Sequence, residues 1–408
     1  MAVPAFRRLW AAQLLSEVGD WSARLALSVL VYTRTGSAAL TGLVTTVSLL
    51  PWLGPGQLLT GLSERWPRRR VLIGADLVRA AAYAAAVLPL PTPLLLSLVF
   101  CAGLATPPFE AARAALRPEI LPAPLFPAAV ALSSITQDLT VAVGYLTGGA
   151  LVALLGAYPA VLVNAASFAA SALLLTGLPA GTAPRPGPSH RVLRGAFDAL
   201  RNDPLIVRAV LLVTAALFTA TALTAMAAPL TLQVLHGGPL TAGVLVALSA
   251  GVSIAATAAI PTDNNHALLL RWAGIYTLTG GAVTVGCFTA ISLDVGAGVG
   301  KDTGLAVIGF AGAGLLFAVI APANVVVTPR LPDNLRASAV SLLMGVLVVT
   351  QAAGPAMAGL AAAAVGLPPV CAALGLAPLA AGTLTLLLHT RRHQRQGRKG
   401  RARSAPTS

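Results

Sequence analysis

This chain lacks the residues from which soluble proteins build a water-facing surface. Only 10% of its 408 residues are charged and 56% are hydrophobic, with a mean hydropathy of +0.82. That leaves too little polar surface for a soluble domain. Cysteine is scarce as well. Cys101, Cys287 and Cys371 are odd in number, fall in separate apolar stretches and form no CxxC pair, which argues against a disulfide framework or a metal site. No GxxxxGK[ST] loop is present, so ATP hydrolysis is not expected; the chain is expected to be no enzyme and to carry no cofactor. Acids are few: 13 Asp and Glu stand against 27 Lys and Arg, for a net charge of +14. In a soluble protein that excess would suggest a nucleic-acid partner. Here its placement accounts for it.

What the chain has is long hydrophobic runs. About twelve stretches of transmembrane length lie between Phe6 and His389, at 6–33, 38–62, 71–89, 93–113, 125–155, 157–178, 205–235, 240–260, 268–291, 303–328, 336–365 and 368–389. The basic residues alternate between their connections. Arg7 and Arg8, Arg65 to Arg79, Arg113 and Arg117, Arg185 to Arg208, Arg271, Arg330 and Arg336, and the tail from Arg391 to Arg403 fall on one side. Those are 24 residues, against Arg34 and Lys301 on the other, with Arg24 inside a span. Cytoplasmic loops retain Lys and Arg, so both termini are expected in the cytoplasm, with an even number of spans. The first stretch is broken by Glu17, Asp20 and Arg24 and is too long for the core of a cleavable signal.

The expected organisation is an all-α membrane protein. A six-helix half over 1–178 and a second over 205–390 are joined by a Pro/Gly/Arg-rich cytoplasmic linker at 179–204, with a disordered basic tail at 391–408. The halves echo each other at an offset of 210, which places Leu121–Pro122 on Leu331–Pro332, Gly144 on Gly354 and Gly149 on Gly359. Parallel repeats of this kind are one architecture of secondary transporters, with the substrate site at the midplane between them.

Several segments carry a family resemblance. Gly61-Leu-Ser-Glu64-Arg65-Trp-Pro-Arg68-Arg69-Arg70 resembles the loop 2–3 motif of the major facilitator superfamily. Asp76-Leu-Val-Arg79, Glu110-Ala-Ala-Arg113, Arg117-Pro118-Glu119, Asn164-Ala-Ala-Ser167-Phe168 and the opening Phe6-Arg7-Arg8-Leu9-Trp10 extend it, as do Pro329 to Arg336 and Gly354-Pro355. Together they are similar to the macrolide and enterobactin exporter branch of drug:proton antiporters. The resemblance implies twelve helices, a bacterial-type plasma (inner) membrane, and proton-coupled efflux of amphipathic small molecules. Its partners would be the substrate, protons and lipid. Two positions depart from the family pattern: Glu64 stands where Asp is usual, and Gly144 is followed by Tyr145 where a helix-kinking proline is usual. An importer or uniporter, or a transporter-like sensor or scramblase without flux, are the alternatives.

Three groups of residues are candidates for that work. Gln13, Glu17, Asp20 and Arg24 fall at i, i+4, i+7 and i+11, one stripe of a helix, with Asp20 about 20 Å along it. Intramembrane charge must face a partner or a cavity. Asp20, Glu17 and Asp138 on the fifth span are therefore the expected proton carriers, with Arg24 as the competing partner of Asp20. Gln13, Arg24, Gln137, Phe218, Asn324 and Gln351 are the expected lining of a substrate cavity. Gly61, Glu64, Arg65, Arg68, Arg69, Arg70, Asp76, Arg79, Glu110 and Arg113 are the expected cytoplasmic gate, its ion pairs made in one conformation and broken in the other.

Overall fold

Proline and glycine punctuate helices that are otherwise continuous. The computed structural model describes residues 3–63, 65–179, 197, 200–260, 266–293, 299–331 and 336–387. Glu64, the side chain of Asp138, most of the 179–204 linker and the tail from 391 lie outside the described residues. Among the described residues every regular element is helical. The first part of the chain forms α1 (Pro4–Thr35), α2 (Ala38–Leu49), α3 (Pro55–Ser63), α4 (Arg68–Ala85), α5 (Thr92–Leu104), α6 (Thr106–Ile120), α7 (Phe126–Leu155) and α8 (Ala157–Thr176). The second forms α9 (Pro204–Ala225), α10 (Pro239–Ala258), α11 (His266–Ser292), α12 (Val299–Ala318), α13 (Ile320–Val327), α14 (Arg336–Val365) and α15 (Leu367–Leu374), the last opening an apolar span that reaches Leu387. Proline at the first turn starts α1, α5, α9, α10 and α15, where its missing N–H costs nothing. The Ser37 side chain caps α2 by accepting from the Leu40 N–H at 3.3 Å.

By length and composition nine described stretches could cross a membrane, or ten if α2 and α3, bent by 41°, count as one. The expected twelve are not all recovered, because α1 and α4 are not among them. Both carry the charges discussed below, which lower their apolarity.

Helix α1 packs on α7 and α8, and α8 on α4; in the second part α9 packs on α11, α12 and α14, and α11 on α12. Two seams join the parts: α2 against α14, and α7 against α10. Glycines set both. A Cβ at Gly149 of α7 would lie 2.8 Å from the Pro239 carbonyl oxygen, and one at Gly359 of α14 would lie 2.7 Å from that of Ala38. Gly144 abuts Val18 of α1, and Gly354 abuts Phe218 of α9. Gly156 and Gly366, also 210 apart, end α7 and α14 with φ of 89° each, a left-handed value suited to glycine. Residues paired by the 210 offset thus occupy matching positions, and small residues let the backbones meet.

The seams close toward the end of the molecule that carries the Gly36, Gly156 and Gly366 turns. There Tyr32 Oη donates to Gln233 Oε1 at 2.8 Å, and Thr46 Oγ1 donates to the Ala352 carbonyl at 2.8 Å, each bond linking the first part of the chain to the second. Toward the other end Ile135 of α7 and Met344 of α14 are exposed.

Candidate functional site

A charge buried in an apolar bundle needs a partner, and α1 finds its partners on α4 and α6. Arg113 donates to Glu17 Oε1 at 2.7 Å and to Glu110 Oε2 at 2.5 Å. Gln13 and Thr140 donate to the same Glu17 carboxylate at 3.0 and 3.1 Å, and Arg117 reaches Gln13 at 3.5 Å. One turn on, Asp20 accepts from Tyr83 Oη at 3.3 Å, with the Arg79 guanidinium 4.0 Å away. Arg79 itself is held by Asp76 at 2.5 Å, and Ser171 of α8 donates to the other oxygen of Asp76 at 2.7 Å. The Arg79 guanidinium lies between the rings of Phe109 and Phe168, 4.3 and 4.4 Å from their centroids. Two carboxylates of α1 are therefore satisfied by two arginines from helices distant in sequence.

This arrangement corrects two expectations. Arg24 makes no ion pair with Asp20 and acts on it through space; the direct partners of Asp20 are Tyr83 and Arg79. The acids and arginines expected at the membrane surface divide as well. Asp76, Arg79 and Arg113 are buried within the first part of the chain and tie α1, α4, α6 and α8 together, without crossing a seam. Gly61, Arg65 and Arg70 are exposed. Arg68 pairs with Glu119 at 2.5 Å, and Arg69 donates to the Leu178 carbonyl at 2.9 Å, which pins α4 to α6 and to the end of α8. Every described ion pair of this cluster lies inside one part of the chain.

Between the seams lies a cavity of about 520 Å³. The first part of the chain contributes Trp21, Arg24, Thr45, Gln137, Val141 and Tyr145, and the second contributes Thr221, Thr224, Ser249, Ser253, Thr257, Phe317, Asn324 and Gln351. Its size suits a drug-sized molecule. Of the expected lining, Arg24, Gln137, Asn324 and Gln351 are present. Gln13 is buried in the Glu17 network, and Phe218 faces a separate pocket with Arg208 and Thr214. Thr221, Thr224 and Ser249 donate to carbonyls of their own helices, so their hydroxyls add little free polarity.

Arg24 is the lone charge among the described lining residues. Its guanidinium stacks 4.4 Å above Trp21, whose ring stands 5.6 Å from that of Tyr145. Sequence reasoning missed these aromatics, and also Ser249, Ser253 and Thr257. The latter fall at i, i+4 and i+8 on α10, a polar stripe that was there to be read.

Several solved structures share this fold. A bacterial homolog to the human lysosomal transporter Spinster, in an inward-facing and occupied conformation, superposes with a TM-score of 0.74 at 15% identity, over 94% of this chain and 96% of that one. The nucleoside transporter NupG gives 0.72 at 12% identity, over 95% and 99%. A POT family transporter in complex with 5-aminolevulinic acid gives 0.70 at 10%, over 95% and 96%. No curated protein sequence matches the chain. The transmembrane secretion effector family of the major facilitator superfamily matches residues 1–405, and the chain belongs to it: it is a membrane transporter rather than an enzyme.

Proposed function

We propose that this transporter is a proton-coupled exporter of amphipathic small molecules that works by alternating access in a bacterial-type plasma membrane. The reading counts α1 and α4 as spans beside the ten apolar ones, which makes twelve in two six-helix halves, 1–178 and 205–390. Both termini then lie in the cytoplasm, following the basic residues. The cavity is closed toward the outside by the glycine seams, an inward-facing state.

One observation carries the coupling. On α1, Arg24 lines the cavity while Asp20 and Glu17, one and two turns away, remain 22% and 17% exposed. Of the other acids of the network, Asp76 is fully buried, and Glu110, 30% exposed, stands on α6 rather than on a helix that lines the cavity. A carboxylate that exchanges protons needs a path to water, and the partial exposure of Asp20 and Glu17 supports one. Asp20 is the preferred carrier: Arg79 stands 4.0 Å away, so Asp20 can lose or regain its proton without stranding a close partner. Glu17 or Asp138 is the alternate.

Reconstituted protein under an imposed pH gradient tests this. Asp20→Asn should still exchange substrate down its gradient and fail to accumulate it uphill. Retained uphill transport in Asp20→Asn with loss in Asp138→Asn would move the carrier to α7. Accumulation in the opposite sense would make the protein an importer. Absence of flux for every solute would favour a sensor or scramblase.

A further inference from the structure

The cavity's charge is one-sided, and that side names a ligand class. Among the described lining residues there is one arginine and no Asp, Glu, Lys or His. Among the described residues Arg24 makes no hydrogen bond or ion pair, and its described contact is the face of Trp21. Each neighbouring acid among the described residues is already engaged: Asp20 by Tyr83 and Arg79, Glu17 by Arg113, Gln13 and Thr140. A guanidinium covered on one face by an indole keeps its N–H edge for acceptors lying in its plane. That edge matches the paired oxygens of a carboxylate or sulfonate. The second part of the chain adds the apolar side chains of Val246, Ile254, Phe317 and Ile320 to the lining, beside the hydroxyls of α10.

We propose that the cavity takes an amphipathic anion, with Arg24 receiving the anionic group and the apolar side chains of the lining, Val246, Ile254, Phe317 and Ile320 among them, receiving the hydrophobic body. The inference rests on the reading of this cavity as the transported-solute site, and it narrows the cargo to one charge class. A cationic amphipath would meet Arg24 with like charge and find no described carboxylate in the wall.

Full-length protein in lipid nanodiscs, titrated with three fluorescent probes, tests it. They are 1-anilinonaphthalene-8-sulfonate, N-phenyl-1-naphthylamine (the same rings without the sulfonate) and ethidium. The sulfonate should bind saturably, about tenfold more weakly to Arg24→Gln, with Arg24→Lys between them, while the neutral analogue binds both alike. Equal sulfonate binding by Arg24→Gln and the unmodified protein would overturn the proposal. Should Arg24→Gln fail to fold, competition on the unmodified protein decides. Decanoate should displace the bound sulfonate at lower concentration than decyltrimethylammonium, and the reverse order overturns the proposal. Flux keeps the two readings apart. If ethidium moves uphill in proteoliposomes and the sulfonate neither binds nor moves, export stands and the anionic class falls. If the sulfonate binds through Arg24 and no probe moves, the binding class stands and transport falls.

Discussion

At the scale of single residues, Arg79 has the most exacting surroundings. Asp76 holds one edge of its guanidinium, and Phe109 and Phe168 lie against it. Lysine carries the same charge but cannot stack as a plane or offer a fork. Arg79→Lys should therefore lower stability by about 2 kcal/mol, the scale of a desolvated cation–π contact. A drop in the melting temperature of purified protein, read by size-exclusion after heating, checks it. An unchanged value would make the aromatic cage incidental. This cage also marks what spacing could not reveal. The stripe Gln13, Glu17, Asp20, Arg24 is regular in sequence, so that charge must be satisfied along α1 was legible. The partners were not. Arg79 and Arg113 come from helices far along the chain, and only the three-dimensional crossing of α4 and α6 over α1 joins Glu17 to Arg113 while leaving Arg24 to the cavity.

At the scale of helices, hydropathy and breakers were enough to locate most elements, because an apolar run ending at Pro or Gly can hardly be anything else in a membrane. The bend between α2 and α3 and the π-helical turn Leu230–Val234 were not foreseen, since neither interrupts the apolar pattern. The 210 offset acquires a physical reason: Gly149 and Gly359 each let a backbone carbonyl of the opposite part approach. Larger residues there should wedge the closed end apart. Gly359→Val is expected to lengthen spin-label distances across that end and shift the population outward, and Gly149→Val to do the same. Gly345→Val, on the same helix as Gly359 with nothing within 4 Å of an added Cβ, should leave the distances unchanged. Equal behaviour of all three variants would remove the seams from the conformational switch.

At the scale of the whole molecule, the proposed orientation rests on the basic residues. A cysteine introduced at Trp66, in the exposed connection between α3 and α4, should resist a membrane-impermeant reagent in sealed cells, while one at Lys301 should label, with the native cysteines replaced. Labelling in the opposite pattern would invert the topology. The seams themselves have a further implication. The described hydrogen bonds between the two parts, Thr46 on the Ala352 carbonyl and Tyr32 on Gln233, and the approaches of carbonyls to seam glycines are all neutral. Each described ion pair lies within one part of the chain, five contacts in the first and Arg330 with Asp203 in the second. The balance between facings is then a matter of shape and of the surrounding lipid rather than of counter-ions. Raising ionic strength should leave the distribution of distances across the closed end where it was, since screening acts on exposed charges. Changing acyl-chain length should move it, as the bilayer presses on a joint held together by fit.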